Sequence, residues 1–131
     1  MTMILRQLGA ATAVAAIVLG TGAAGAWAQE KPVEVYRARL SEKDHYNMYG
    51  ERLTTVAAIL RQDRAYFHLY DMRDREDGDD VFFDSPANRD RLERMLVTGH
   101  VSQAVSRAIT RDHPLVEVTV YPSRVDVTLA D

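Results

Sequence analysis

The densest group of side chains that could bind an ion lies in one acidic segment, residues 71–84. Clustered carboxylate oxygens are the ligands that Ca²⁺ prefers. If Gly78 is placed at the sixth position of an EF-hand loop, however, Arg73 and Arg75 fall at the first and third positions, where carboxylates are required. We therefore expect a solvated loop without a cofactor, anchored to the core by Phe82 or Phe83. Calcium binding is the alternative, with Asp74, Glu76, Asp77, Asp79 and Asp80 as its ligands.

Asp63 interrupts an apolar stripe of helical spacing. The stripe has members three or four residues apart: Tyr46, Tyr49, Leu53, Val56, Leu60, Phe67 and Tyr70. A buried carboxylate must be paired, or its pKa shifts. One interpretation leaves Asp63 exposed or bridged to a nearby arginine, and the tyrosines in the core. The other is a polar binding site made of Asp63, Arg64, Tyr46, Tyr49 and Tyr70.

The four histidines give no local support for a metal site. There is no H-E-x-x-H motif, and no two histidines lie four residues apart on a helix. His45, His100 and His113 each adjoin a turn signal, which predicts surface or capping positions. His68 follows Phe67 near the end of a predicted helix, where a positive charge suits the helix dipole.

The sequence shows no nucleophile in a catalytic arrangement. It contains no cysteine and no G-x-S-x-G turn. Ser41, Ser85 and Ser102 are explained as residues that cap helices. We therefore expect that the protein is not an enzyme. An enzyme with an Asp/His site is an alternative that requires Asp63 or His68 to meet a second titratable group in a pocket.

The elements that would position these residues follow an α+β pattern. Alternating apolar residues predict a strand over residues 33–40 and a β-hairpin over residues 116–129. Between them we expect three helices: one over residues 44–70 that begins at Asp44 or near Gly50, one from Ser85 to Gly99, and one after Ser102. The predicted fold is a small three-stranded antiparallel sheet with helices on one face.

The first 28 residues have the pattern of a secretory signal peptide. Arg6 provides a short basic start, no charge occurs from Leu8 to Ala26, and Ala26-Trp27-Ala28 matches an A-x-A cleavage site. We expect cleavage after Ala28, which leaves a single domain over residues 29–131 in the bacterial periplasm or outside the cell. The alternative, a retained membrane anchor, is disfavoured because several glycines dilute the apolar run.

The charge composition limits the classes of molecule that we expect the chain to bind. The chain has 19 acidic and 16 basic side chains, and Arg6 is lost with the signal peptide. Nucleic-acid binding needs a basic face, whereas arginine and acidic residues alternate over residues 73–77. We expect no nucleic acid and, after cleavage, no membrane. The expected partner is another protein, with a homo-oligomer as the alternative.

These observations favour a small exported binding module that is not an enzyme, such as an inhibitor, an immunity-type protein or an accessory protein of the cell envelope. One alternative is a sensor of a cation or small ligand that uses the acidic segment 71–84. The Asp/His enzyme is the other.

Overall fold

The computed structural model describes residues 30–130, which form a three-stranded antiparallel sheet and four α-helices. The predicted α+β fold class is confirmed. The predicted signal peptide, residues 1–28, lies outside the described residues. In chain order the elements are β1 (Glu34–Arg39), α1 (Val56–Tyr70), α2 (Pro86–Asp90), α3 (Leu92–Thr98), α4 (Gln103–Arg111), β2 (Leu115–Val120) and β3 (Val125–Leu129), with 3₁₀ turns at Glu42–His45 and Phe82–Asp84.

The sheet has the order β1-β2-β3, and one of its faces is buried. Tyr36 of β1 lies opposite Val118 of β2, which lies opposite Val127 of β3. The strands alternate because every second side chain points to the same face. Helical residues complete the core on that face, among them Ile59, Leu60, Leu92, Met95 and Ile109. Full burial of such a side chain contributes about 1.5–3 kcal/mol.

Both edges of the sheet are covered by connecting segments. At the β1 edge, the Gly78 amide donates to the Arg37 carbonyl over 2.8 Å, and the Arg39 amide donates to Asp77 Oδ1 over 2.8 Å. At the β3 edge, the Val127 amide donates to the His100 carbonyl over 3.0 Å. The acidic segment 71–84 is therefore more than a solvated loop, because part of it hydrogen-bonds to the β1 edge of the sheet. These contacts occupy the middle of each edge and so reduce the backbone groups that are free to pair with another chain.

The first helix begins at Val56, so the predicted starts at Asp44 and Gly50 were wrong. Thr55 is the N-cap, and its side chain accepts a hydrogen bond from the Ala58 amide over 3.2 Å. Gly50 adopts a φ of 77°, a left-handed conformation that interrupts a helix. The segment we call the 46–53 loop folds back so that the Leu53 amide donates to the His45 carbonyl over 2.8 Å.

The segment from Ser85 to Gly99 contains two helices, α2 and α3, where one was predicted. Ser85 caps α2 and Pro86 occupies its first turn, as expected. Gly99 follows α3 with a φ of −93°, so it is not needed for a left-handed turn. It is needed for close packing, because a Cβ at this position would lie 1.8 Å from the Val125 carbonyl oxygen. No helix within residues 30–130 has the length and apolar character needed to cross a bilayer.

Candidate functional site

A buried arginine lies at the centre of the polar core. The side chain of Arg64 on α1 is fully buried. Its guanidinium carbon lies 4.4 Å from the ring centre of Tyr36 and 4.2 Å from that of Phe67. The guanidinium of Arg73 covers Phe67 at 3.9 Å. Aromatic rings and cations thus alternate in one stack, in which the ring faces attract the buried guanidinium of Arg64 and the partly exposed guanidinium of Arg73.

Hydrogen bonds from Arg64 tie α1 to the acidic segment. Its Nε donates to Asp63 Oδ2 over 2.7 Å, and its Nη1 donates to Asp80 Oδ1 over 2.8 Å and to the Gly78 carbonyl over 3.2 Å. Asp80 Oδ2 accepts from the Phe83 amide over 2.8 Å. Bonds between charged groups are the strongest in this environment. They join the helix, the cover of the β1 edge and the 3₁₀ turn that carries the core residue Phe83.

Burial dominates the electrostatics of the Asp63–Arg64 pair. Burial raises the pKa of Asp63 to about 7, although the Arg64 charge works in the opposite direction. Burial also disfavours the charge of Arg64, but Asp63, Tyr36 and the hydrogen bonds to Asp63 and Asp80 together outweigh it, and the pKa of Arg64 is raised. Asp63 Oδ1 has no hydrogen-bond partner among the described residues. The structure therefore matches the interpretation in which Asp63 is bridged to an arginine, and it places the carboxylate in the interior.

His68 meets two carboxylates at the rim of an open cavity of about 400 Å³. Its Nε2 lies 2.8 Å from Asp80 Oδ1, and its Nδ1 lies 3.6 Å from Asp84 Oδ1. None of the described residues that line the cavity is a serine, threonine or tyrosine; they are Phe67, His68, Arg73, Asp79, Asp80, Val81 and Asp84.

The carboxylates predicted as calcium ligands are each engaged with a protein donor. Asp74 accepts from Lys43 Nζ, Glu76 accepts from Arg39 Nε, and Asp79 accepts from Arg73 Nη1. Asp77 and Asp80 accept backbone amides. Within residues 30–130, no group of three or more His, Asp or Glu side chains is placed to hold a metal ion.

The five predicted residues of the polar site do not come together. Asp63 and Arg64 are buried in the polar core. Tyr46 is half-buried, with its hydroxyl 3.3 Å from Arg52 Nη1, and Tyr49 is 88% exposed. The Tyr70 hydroxyl contacts Met48 Sδ at 3.4 Å. The tyrosines predicted on one helical stripe with Asp63 thus belong to different parts of the molecule, because Tyr46 and Tyr49 precede the helix.

An apolar groove, which the sequence analysis missed, runs between the outer face of α1 and the 46–53 loop. Its volume is about 300 Å³. It is lined by Met48, Leu53, Ala58, Arg61, Gln62, Ala65, Leu69 and Tyr70. The available signal was a second stripe on α1, formed by residues 58, 62, 65 and 69 at alternating spacings of four and three.

His45 was predicted at the surface or at a cap; the surface position was wrong, whereas its contact with the Ile109 carbonyl in the last turn of α4 is a capping contact. Its side chain is buried, and its two ring nitrogens each lie 2.8 Å from a backbone carbonyl oxygen. The turn signals beside it are real, since it ends a 3₁₀ turn. The end of α4 packs over that turn, and only the tertiary fold provides this contact.

Comparisons of the chain with protein-family models, with curated proteins and with solved structures found no match.

Proposed function

We propose that this chain is an exported binding module, not an enzyme, and that it binds an amphipathic helix of a partner protein in the apolar groove beside α1. The observation that carries the proposal is the groove itself. It combines an apolar lining with an outward helical stripe on α1, separate from the stripe that packs on the sheet. Helix-in-groove binding uses such a surface.

The shape of the groove suits a helix. Ala58 and Ala65 lie along the outer stripe of α1, and their small side chains let a second helix approach closely. Met48 and Leu69 are more than half exposed beside them. Methionine is flexible and adapts to different apolar partners. A helix with apolar residues at matching spacings would bury these side chains, which supports a helical occupant.

The rim of the groove provides polar contacts. Arg61 lines the groove and forms an ion pair with Asp90 in which both side chains are more than half exposed. Exposed ion pairs contribute about 0–1 kcal/mol, so Arg61 can exchange Asp90 for a carboxylate of the partner at little cost. We therefore expect an acidic residue beside the apolar stripe of the bound helix.

Export is the second part of the proposal. It is supported by the pattern of Arg6, the uncharged stretch and the A-x-A motif that ends at Ala28. The position of the domain start agrees with it, because Glu30 already forms an ion pair with Arg124 at 2.6 Å. Cleavage after Ala28 would leave this contact in the mature protein.

The test uses two surface variants of the mature chain. Ala65→Glu places a charge on the stripe inside the groove but keeps a good helix former. Val97→Glu is the matched control, because Val97 is 81% exposed on α3 and does not line the groove. A partner captured from an envelope extract of the native host is purified, and its dissociation constant is measured for each variant.

We expect the wild type and Val97→Glu to bind the purified partner with equal affinity. We expect Ala65→Glu to bind it about 30-fold more weakly or worse, the loss that accompanies an energetically dominant contact. Equal binding by all three proteins overturns the groove as the contact surface. Sedimentation that shows an Ala65-dependent dimer identifies a second copy as the occupant and overturns the separate partner.

The other two function classes receive less support from the geometry. A cation sensor would use carboxylates that already accept bonds from Lys43, Arg39, Arg73 and backbone amides. An enzyme would use His68, which does meet Asp80 beside a cavity. The described lining of that cavity, however, offers no hydroxyl nucleophile for His68 to activate.

A further inference from the structure

The environment of His45 selects one protonation state. Its side chain is fully buried, its Nδ1 lies 2.8 Å from the Ser41 carbonyl oxygen, and its Nε2 lies 2.8 Å from the Ile109 carbonyl oxygen. Carbonyl oxygens only accept hydrogen bonds. A neutral imidazole carries one N–H and could satisfy one of them, whereas an imidazolium carries two N–H groups and satisfies both.

We propose that His45 is held as an imidazolium. Its two N–H groups then fasten the 46–53 loop of the groove to the end of α4, and we call this pair of contacts the latch. The latch regulates the groove by pH, and this consequence for binding rests on the proposed function. The protonation of His45 itself does not depend on it.

Two contacts connect the latch to the groove. The His45 carbonyl accepts the Leu53 amide over 2.8 Å, so the backbone of His45 anchors the far end of the loop. Arg52 Nη2 donates to the Thr110 carbonyl over 3.4 Å, next to the carbonyl that His45 uses. Leu53 and Met48, from the same loop, line the groove. A shift of His45 away from α4 would therefore displace this wall.

The charges around the latch favour a cation. Asp44, the neighbour of His45 on the same turn, is fully buried, and its Oδ1 has no hydrogen-bond partner among the described residues. Burial raises the pKa of Asp44 and so works against its charge, whereas Lys43 and the Ser41 amide favour the carboxylate. The Ile109 carbonyl lies in the last turn of α4, which carries partial negative charge.

Two cationic or titratable groups face the latch from other directions. The half-buried Lys43 binds Asp44 at 3.2 Å and Asp74 at 2.5 Å. The exposed ring of His113, which precedes β2, meets the His45 ring edge-on with centres 5.2 Å apart. One lysine charge is shared by two carboxylates, so Lys43, Asp44 and Asp74 together leave a net negative charge beside His45.

Loss of the proton would release the latch. A ring nitrogen without its hydrogen presents a lone pair to a carbonyl oxygen at 2.8 Å, and one hydrogen bond becomes a repulsive contact. Histidine is the side chain that changes charge between about pH 5 and 8. We therefore expect the loop to be fastened at acid pH and to loosen as the pH rises.

The test is an NMR titration of the ¹⁵N-labelled mature chain without a partner. Long-range ¹H–¹⁵N spectra distinguish the imidazolium from both neutral tautomers. At about pH 7.5, where an ordinary histidine is mostly neutral, we expect protons on both nitrogens of His45. As the ring is deprotonated, we expect the Leu53 amide to exchange with solvent about tenfold faster, after correction for the intrinsic rate. His100→Gln serves as the control, because His100 is exposed at the β3 edge, and it should leave both observations unchanged.

A neutral His45 ring in the folded protein at about pH 7.5 overturns the latch. Deprotonation of His45 without a change at Leu53 overturns its coupling to the loop. The variant His45→Gln should show fast Leu53 exchange at every pH; if it does not fold, the wild-type titration alone decides. Binding of the purified partner that does not weaken at higher pH, with the latch intact, overturns the regulation while leaving the groove itself supported.

Discussion

Replacement of Asp63 by asparagine should remove a large pH dependence from the stability of this domain. Asp63 is almost fully buried, and burial raises its pKa from an ordinary 3.8 to about 7 in the folded protein. The asparagine side chain keeps an oxygen that can accept from Arg64 Nε at the position of Oδ2. Arg64 keeps its second carboxylate, Asp80. The substitution therefore removes the titration and retains the hydrogen bonds of Arg64.

The sign and size follow from linkage between proton binding and folding. The folded state binds the Asp63 proton more tightly than the unfolded chain does. The resulting stabilisation is fully present below pH 3.8 and is lost as the pH rises through about 7. The separation of the two pKa values corresponds to about 4 kcal/mol, at about 1.4 kcal/mol per pH unit. A domain of this size has a total stability of roughly 5–15 kcal/mol, so the effect is large.

The assay is urea unfolding of the mature wild type and Asp63→Asn, followed by circular dichroism from about pH 4.5 to about pH 8. The wild type should lose stability relative to Asp63→Asn across this range, by about 3 kcal/mol, because the range begins above the unfolded pKa. Asp112→Asn is the control, because Asp112 is exposed at the end of α4 and its replacement removes the same charge from a site without burial. Its difference from the wild type should stay nearly constant with pH.

Parallel pH profiles of wild type and Asp63→Asn would refute this reasoning. They would mean that Asp63 stays ionised in the folded protein and that its bond to Arg64 outweighs the cost of burial. In that case Asp63→Asn should instead be less stable at neutral pH, by the loss of a charged hydrogen bond.

Two further predictions concern packing and export. Gly99→Ala should lower the free energy of unfolding by about 3 kcal/mol, because its Cβ would lie 1.8 Å from the Val125 carbonyl oxygen and α3 must move away from β3. Gly50→Ala, which adds a Cβ in open space at a φ of 77°, should cost only about 1 kcal/mol in the same urea experiment; equal losses would contradict the packing argument. In a bacterial host, the full-length chain should yield a soluble periplasmic product whose intact mass matches a chain that starts at Gln29. A membrane-bound product that retains Met1 would contradict export by a cleaved signal.

The local elements of this fold were predictable where neighbouring residues decide the structure. Alternation of valines predicted β2 and β3, and Ser85-Pro86 and Ser102 marked two helix starts. The start of α1 was missed because Gly50 and the Thr55 cap outweighed a run of aromatic and apolar residues at helical spacing. Regular spacing is compatible with a helix but does not require one, since a left-handed glycine and a capping side chain act on the backbone directly.

Asp63 shows how much of the polar core the sequence pattern could predict. Its place in an apolar stripe left Asp63 either exposed, bridged to a nearby arginine, or part of a polar binding site, and the structure shows it buried and bridged to Arg64. The sequence could not show that Asp80, in a loop read as solvated, would share Arg64 with Asp63. That contact depends on the loop crossing the β1 edge, where Gly78 pairs with Arg37.

The sequence by itself determined the α+β class, the burial of one sheet face and the unusual position of Asp63, because these depend on residues close together in the chain. The tertiary structure alone decided the apolar groove, the meeting of His68 with Asp80 and the burial of His45. Each of these joins segments that are distant in sequence: α1 with the 46–53 loop, α1 with the acidic segment, and a 3₁₀ turn with the end of α4. Their side chains acquire a role only when packing removes water from between them.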